Sequence, residues 1–175
     1  MKTYAVLGYT QSGKSTVGNM IAKATGGDSA SISDYLSVHL GDVWGRHGYE
    51  IQNLKSHPVA GPYIRQQLYE LGRLAEDQDP LSIINQMLAD DVSIICGMRT
   101  IVELQATIEA KLFDQYWWVS RSGNVARVTD KVHYLSLDVR LFNTPSEIMF
   151  MFIDNSGTLE DLEYKVLDAL GKESK

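Results

Sequence analysis

Eight residues near the start of the chain, Gly8-Tyr9-Thr10-Gln11-Ser12-Gly13-Lys14-Ser15, follow the spacing G-x-x-x-x-G-K-[ST]. Each fixed position answers a demand of anion binding. Glycine reaches backbone conformations that turn successive N–H groups toward one centre. A helix beginning right after the loop adds the positive end of its dipole. Lys14 brings a compact full charge to the outer phosphates of a nucleotide, and the Ser15 hydroxyl is a ligand for Mg²⁺. Gly8, Gln11, Ser12, Gly13 and Thr16 complete the set of phosphate-contact candidates. A glycine-rich turn arising by chance is the competing explanation, and the flanks oppose it. The apolar run Tyr4 to Leu7 leads in, and an amphipathic run with Val17, Met20, Ile21 and Ala24 on one side leads out. Strand, loop and helix is the context in which this spacing binds phosphate. The expected ligand is a nucleoside triphosphate, ATP with Mg²⁺.

Two further residues stand at the carboxyl ends of predicted strands, where ligands bind in open α/β sheets. Asp34 follows a short strand over Ser29–Ile32. There it is a general base for a hydroxyl acceptor, an orienter of substrate or Mg²⁺-bound water, or merely a helix N-cap. Arg99 follows a strand over Val92–Cys96. It is a bidentate clamp for an acceptor phosphate or one half of a surface ion pair. Cys96 reads as a small buried apolar residue rather than a nucleophile. His39, His47, His57 and His133 lack metal-ligand spacing. Trp117 and Trp118 alternate across a strand, which puts one in the core; base stacking is the lesser alternative.

The elements that must position these residues alternate. Strands are predicted at Tyr4–Leu7, Ser29–Ile32, Val92–Cys96, Tyr116–Val119 and Met149–Ile153. Apolar strands separated by helical stretches predict an α/β sandwich, a parallel sheet covered by helices on both faces. The first helix ends at Gly26-Gly27. A second, from about Ser33 or Asp34, buries Leu36, Val38 and Leu40. Gly41 to Pro62 mixes Gly, His, Asn and Pro and reads as mostly loop. Ile64, Leu68, Leu71 and Ala75 have helical spacing. Asp79-Pro80 reads as an N-cap with proline at the first helical position of a helix carrying Leu81, Ile84 and Leu88. Thr100 with Glu103 is a capping-box pattern opening a helix with Ile101, Leu104 and Ile108 inside. Residues 121–147 show no clear period. Thr158 and Asp161 open a last helix with Leu159, Leu162, Val166 and Leu170 on one stripe.

At 175 residues the chain suits a single domain, residues 1–175. Its 44% apolar and 22% charged residues exclude disorder as a description of the whole. A net charge of −6 does not suit a protein that coats nucleic acid or an anionic membrane. One cysteine excludes an internal disulfide and a thiolate zinc site. No apolar run approaches the ~18 residues of a membrane span. The start runs directly into a predicted strand, and no signal peptide is expected. The expectation is a soluble cytoplasmic protein with no membrane partner.

Four segments, taken in order, resemble the nucleoside-monophosphate-kinase superfamily of P-loop proteins. The likeness is greatest to the deoxynucleoside monophosphate kinases of tailed bacteriophages, and more distant to dephospho-coenzyme A kinases. The segments are the phosphate loop; Ser31-Ile32-Ser33-Asp34-Tyr35-Leu36; Ile94-Ile95-Cys96-Gly97-Met98-Arg99 with Glu103; and Thr144-Pro145-Ser146-Glu147 followed by Phe152 to Leu159. Arg65, Leu68, Gly72 and Arg73 also lie where that family carries an arginine-bearing helix. The resemblance implies a P-loop NTPase fold with a five-stranded parallel sheet and a small lid over 121–147. It implies an acceptor-binding region over 37–90, where Arg46 and Arg65 stand, and catalytic lid arginines at Arg121 and Arg127, with Lys131 and Arg140 weaker. It places Asn155 and Gly157 near adenine. Two departures stand out. The family's acidic residue before the arginine is replaced by Cys96 or Gly97, and Thr144 stands in place of its histidine.

The chain has no N/T-K-x-D guanine-reading segment, and the strand over 92–96 does not end in the Asp-Glu pair of many ATPases. The expected function is transfer of the ATP γ-phosphoryl group to a deoxynucleoside monophosphate, in the host cytoplasm if the protein is viral. Lys14, Asp34, Arg99, Arg121 and Arg127 are the expected catalytic residues. The alternative is a P-loop kinase that phosphorylates a hydroxyl on a nucleoside, a modified DNA base or another small molecule. DNA as substrate is not favoured by the net charge. A nucleotide-binding regulator without transfer activity is the third reading. Monomer and homodimer are both open.

Overall fold

Four consecutive apolar residues, Tyr4–Leu7, form the fully buried strand β1 at the centre of the sheet. The computed structural model describes residues 1–98, 100–122 and 150–172. In order the elements are β1, α1 (Lys14–Thr25), β2 (Asp28–Ser31), α2 (Ile32–Trp44), α3 (Gly48–Leu54), α4 (Ala60–Gln78) and α5 (Ser82–Ala89). Then come β3 (Val92–Cys96), α6 (Ile101–Glu109), β4 (Gln115–Ser120), β5 (Phe150–Asp154) and α7 (Leu159–Ala169). The five strands are parallel in the order β2-β3-β1-β4-β5. This is the α/β architecture that the apolar strands predict.

Alternation along each strand divides the core in two. Ala5, Leu7, Ile95, Tyr116 and Trp118 face α2, α4, α5 and α6, through Leu36, Leu68, Ile84 and Leu104. Tyr4, Val6, Ile94, Cys96, Trp117 and Val119 face α1 and α7, through Val17, Ile21, Leu162 and Val166. Each such Leu, Ile or Val contributes about 1.5–3 kcal/mol by leaving water. Both tryptophans are therefore core, one on each face, at 0% and 6% exposure. Trp118 meets Tyr9 edge-to-face at 5.6 Å, so neither indole is available to stack on a base.

The structure corrects several local expectations. The segment from Gly41 to Pro62 is largely helical, because Gly41 and Gly48 are packing spacers rather than breakers, while Gly45, at a φ of 64°, ends α2. A Cβ on Gly41 would lie 2.6 Å from the Arg46 carbonyl oxygen, and one on Gly48 would lie 2.8 Å from a Val38 methyl. Pro62 is the third residue of α4, where an N–H has no intrahelical partner to lose. Val38 is 51% exposed and Leu159 61% exposed, so neither joins the stripe read for it. Helix α5 begins at Ser82, two residues beyond Pro80. Asp79 closes α4 instead, and its carboxylate accepts from the Leu81 N–H at 2.9 Å. The capping boxes at Thr100/Glu103 and Thr158/Asp161 are both formed.

Candidate active site

The phosphate loop leaves β1 at Gly8 and enters α1 at Lys14, so its backbone sits at the carboxyl edge of the central strand. Three of its residues have positive φ: Gly8 at 142°, Gln11 at 65° and Gly13 at 97°. Only glycine serves at two of them. A Cβ on Gly8 would lie 2.2 Å from the Val119 carbonyl oxygen, and one on Gly13 would lie 2.2 Å from Asn155 Nδ2. The Ser12 N–H donates to the Tyr9 carbonyl at 3.1 Å, curling the loop. Lys14 Nζ donates to that same carbonyl at 2.7 Å, which holds the ammonium over the curl. The Ser12 hydroxyl is buried under the loop and has no protein partner.

That cradle fits a triphosphate: it has a turn closed to Cβ atoms at Gly8 and Gly13, an orphaned hydroxyl and one ammonium. Ser15 and Thr16 are exposed in the first turn of α1, with their hydroxyls open to ligand. Mg²⁺ asks few protein ligands beside phosphate and water. Among the described residues no three His, Cys, Asp or Glu side chains gather as a metal site.

Asn155, at the end of β5, has a structural task beyond the adenine contact expected of it. Its backbone N–H donates to the Ser120 carbonyl at 2.7 Å, and its Nδ2 donates to the Ser12 carbonyl at 2.8 Å. The side chain thus ties the last strand to the phosphate loop. Gly157 lies in the exposed turn before α7, beside Asp161.

Cys96, the last residue of β3, is 1% exposed, and its thiol donates weakly to the Lys14 carbonyl at 3.7 Å. Burial pushes the thiol up to about 11, against a lowering by its contact with Ser29. Lys14 and Asp34 both lie close enough to act on it electrostatically. The Cys96–Lys14 contact joins the end of β3 to the first residue of α1. Asp34 is exposed and is the third residue of α2; Ser31 is the N-cap, and its hydroxyl accepts from the Asp34 N–H at 3.1 Å. The reading of Asp34 as the cap itself is thereby corrected.

Beside this point a small, open cleft lies between α2, α4 and the start of α6. Gly97 bridges the two regions, since it lines the cleft while its N–H donates to the Val6 carbonyl of β1 at 3.0 Å. The apolar wall includes Ile32, Leu36 and Leu68; the polar groups include Ser33, Arg73, Glu76, Thr100 and Glu103. Arg73, on the helix already noted for its arginines, comes to the cleft. Arg65 does not: it is exposed, its guanidinium donating to the Lys55 carbonyl at 2.6 Å. Arg46 is also exposed, 4.0 Å from Glu50, and does not line the cleft. Arg121 is exposed just past β4. Arg99, Arg127, Lys131, His133, Arg140, Thr144 to Glu147 and most of the expected lid lie outside the described residues.

The sequence reading missed Glu76. It falls four residues after Gly72, on the ladder Ile64–Leu68–Gly72–Glu76, all at i, i+4 spacing on the inward face of α4. A glutamate on an apolar ladder was the available signal. Among the described residues no helix is long and apolar enough to cross a membrane.

No protein-family model and no curated protein matches the chain. Several solved structures resemble it overall. A sugar kinase from Janibacter sp. HTCC2649 is 17% identical, with a TM-score of 0.49 over 98% of this chain and 95% of that one. A gluconokinase from Sinorhizobium meliloti 1021 is also 17% identical, with a TM-score of 0.49 over 97% and 91%. A dephospho-CoA kinase from Campylobacter jejuni is 12% identical, with a TM-score of 0.47 over 97% and 96%. At these values the likenesses decide nothing about activity; the residues of the loop and the cleft must.

Proposed function

We propose that this protein is an ATP-dependent phosphotransferase acting on a small-molecule acceptor held in the cleft beside the phosphate loop. One observation carries the reading: the cradle of Gly8, Gly13 and Lys14 and the cleft meet at the end of β3, where Cys96 contacts the Lys14 carbonyl and the next residue, Gly97, lines the cleft. ATP occupies the loop, with Lys14 on its outer phosphates. Ser15 would hold Mg²⁺, which would supply charge neutralisation at the phosphates. The acceptor oxygen bonds to the γ-phosphorus, the bond from that phosphorus to the bridging oxygen breaks, and ADP leaves. Catalysis is mostly positioning and charge stabilisation.

Two acceptor classes follow from what is on the chain. A deoxynucleoside monophosphate accords with the sequence resemblance, with Arg99, Arg121 and Arg127 as its cationic partners. A hydroxyl acceptor accords with the exposed Asp34 carboxylate, which would take the hydroxyl proton as the new bond forms. The test is incubation with γ-labelled ATP and Mg²⁺ against deoxynucleoside monophosphates, nucleosides, polyols and modified duplex DNA. Label appearing in an acceptor supports the proposal; ATP bound with no label transferred to any class refutes it.

A further inference from the structure

Ser33 is the second residue of α2, beside Asp34, and it lines the cleft. Its hydroxyl oxygen accepts from the Lys55 ammonium at 2.6 Å. An ammonium only donates, so the direction of this bond is fixed and the Ser33 proton is not spent on it. The Ser33 carbonyl accepts too, from Ser37 Oγ at 2.7 Å and from Gln52 Nε2 at 2.8 Å. Among the described residues none takes the Ser33 hydroxyl proton. Glu76, in the same cleft, is engaged instead by the Thr100 hydroxyl at 2.8 Å and by Arg73 at 3.3 Å.

A network from α3 brings the ammonium to Ser33. Gln52 Oε1 accepts from Lys55 Nζ at 2.7 Å, while Gln52 Nε2 donates to the Ser33 carbonyl and, at 2.8 Å, to Ser37 Oγ. The amide has one workable orientation, because its oxygen must face the ammonium and its nitrogen the carbonyl. Ser37 is fully buried and gives its own proton to the Ser33 carbonyl. Every hydroxyl and amide proton of Ser37 and Gln52 named here has its acceptor, and the Ser33 proton is left for the cleft. A hydroxyl that accepts from a cation is polarised into a stronger donor.

We infer that Ser33 is a specificity-determining residue of the acceptor site: its hydroxyl donates to an unprotonated oxygen of the acceptor, of phosphate, carboxylate or carbonyl type. Lys55 is the positioning residue that turns and polarises that hydroxyl. The inference rests on the phosphotransferase reading and deepens it by naming what the acceptor must present. The oxygen bound by Ser33 is one that does not react, and Ser33 keeps its proton throughout. A hydroxyl of the acceptor could also take this bond, but it brings a proton that needs a partner of its own. An unprotonated oxygen brings none, and it gains from the ammonium behind Ser33.

The experiment uses the full chain at saturating Mg·ATP. Polyols are compared with the aldonic acid, the ketose and the monophosphate of the same carbon chain, and 2-deoxyribose with thymidine and thymidine monophosphate. These arms separate the carboxylate, carbonyl and phosphate sources. One oxygen-bearing member should exceed its hydroxyl-only parent by about tenfold in kcat/KM. Ser33→Ala should raise the KM of that member about tenfold, leave the KM for ATP unchanged and erase the preference. Lys55→Met should raise the same KM, and should add nothing to the loss of preference when combined with Ser33→Ala. Parents used as well as all their derivatives by the wild type overturn the inference and leave the phosphotransferase reading intact. A preference that survives Ser33→Ala, with the KM for ATP intact, overturns it too. Additive losses in the double variant overturn the positioning role of Lys55. Mg·ATP bound with no transfer to any member overturns the phosphotransferase reading, and the role of Ser33 with it.

Discussion

The tie between Asn155 and the phosphate loop can be tested by a double-mutant cycle with Gly13. Asn155→Ala removes the 2.8 Å bond to the Ser12 carbonyl, in a residue that is 1% exposed. A lost bond that leaves a buried acceptor short of a partner costs about 1–2 kcal/mol. Gly13→Ala puts a methyl 2.2 Å from Asn155 Nδ2, with only that amide within 4 Å. The amide must swing away, so the same bond is lost. The methyl also sits at a φ of 97°, which adds strain of about 1–2 kcal/mol. The double variant loses the bond once and keeps only the strain, so it should be less destabilised than the sum of the singles by about 1–2 kcal/mol. Urea unfolding of the four proteins measures this. Loss of the bond alone should lower the Tm by roughly 2–8 °C in a chain of this size. Additivity within about 0.5 kcal/mol would refute the contact as the reason that position 13 needs glycine.

Four further outcomes are expected. Lys14→Ala should lower transfer about 10²–10³-fold with an unchanged circular dichroism spectrum, since Lys14 contributes charge rather than packing. Asp34→Asn should depress kcat more than the acceptor KM, if a hydroxyl is the acceptor, because the lost group takes the proton; an unchanged kcat with the hydroxyl acceptor sinks its role as base. The Cys96 thiol, held at about 11 against an ordinary 9.0, should resist a thiol reagent at pH 8 until the protein unfolds. With the folded value raised, its contribution is fully present below pH 9 and is lost as pH rises toward 11, so Cys96→Ala should flatten that alkaline decline. The Asp161 carboxyl is held below its ordinary value by hydrogen bonds from Thr158. Its stabilising effect should be present above about pH 4 and fade as pH falls through the lowered value, a trend that Asp161→Asn should weaken in acid unfolding curves.

What the sequence made legible was local. The phosphate loop, the two capping boxes and the central apolar strands are each specified within eight residues or fewer, and all appear where expected. What it hid depends on tertiary neighbours. Gly41 and Gly48 read as breakers because nothing local reveals that Arg46 and Val38 need their missing side chains. Glu76 lies on the inward ladder of α4, but its partner Thr100 is twenty-four residues later and comes to its carboxylate only in the fold. Arg65 and Arg73 are two turns apart on α4, and only packing decides that Arg73 reaches the cleft while Arg65 turns to the Lys55 carbonyl. Asn155 shows the same limit, since its partner Ser12 is 143 positions away.

The most direct measurement is the stoichiometry of transfer. The wild-type protein and Lys14→Ala are each incubated with Mg·ATP and the best acceptor from the screen, and ADP and phosphorylated acceptor are quantified together. The account predicts one phosphorylated acceptor per ADP from the wild type, ADP formation that depends on the acceptor, and loss of both products in Lys14→Ala. ADP released without a phosphorylated acceptor, or equal yields from Lys14→Ala, would contradict it.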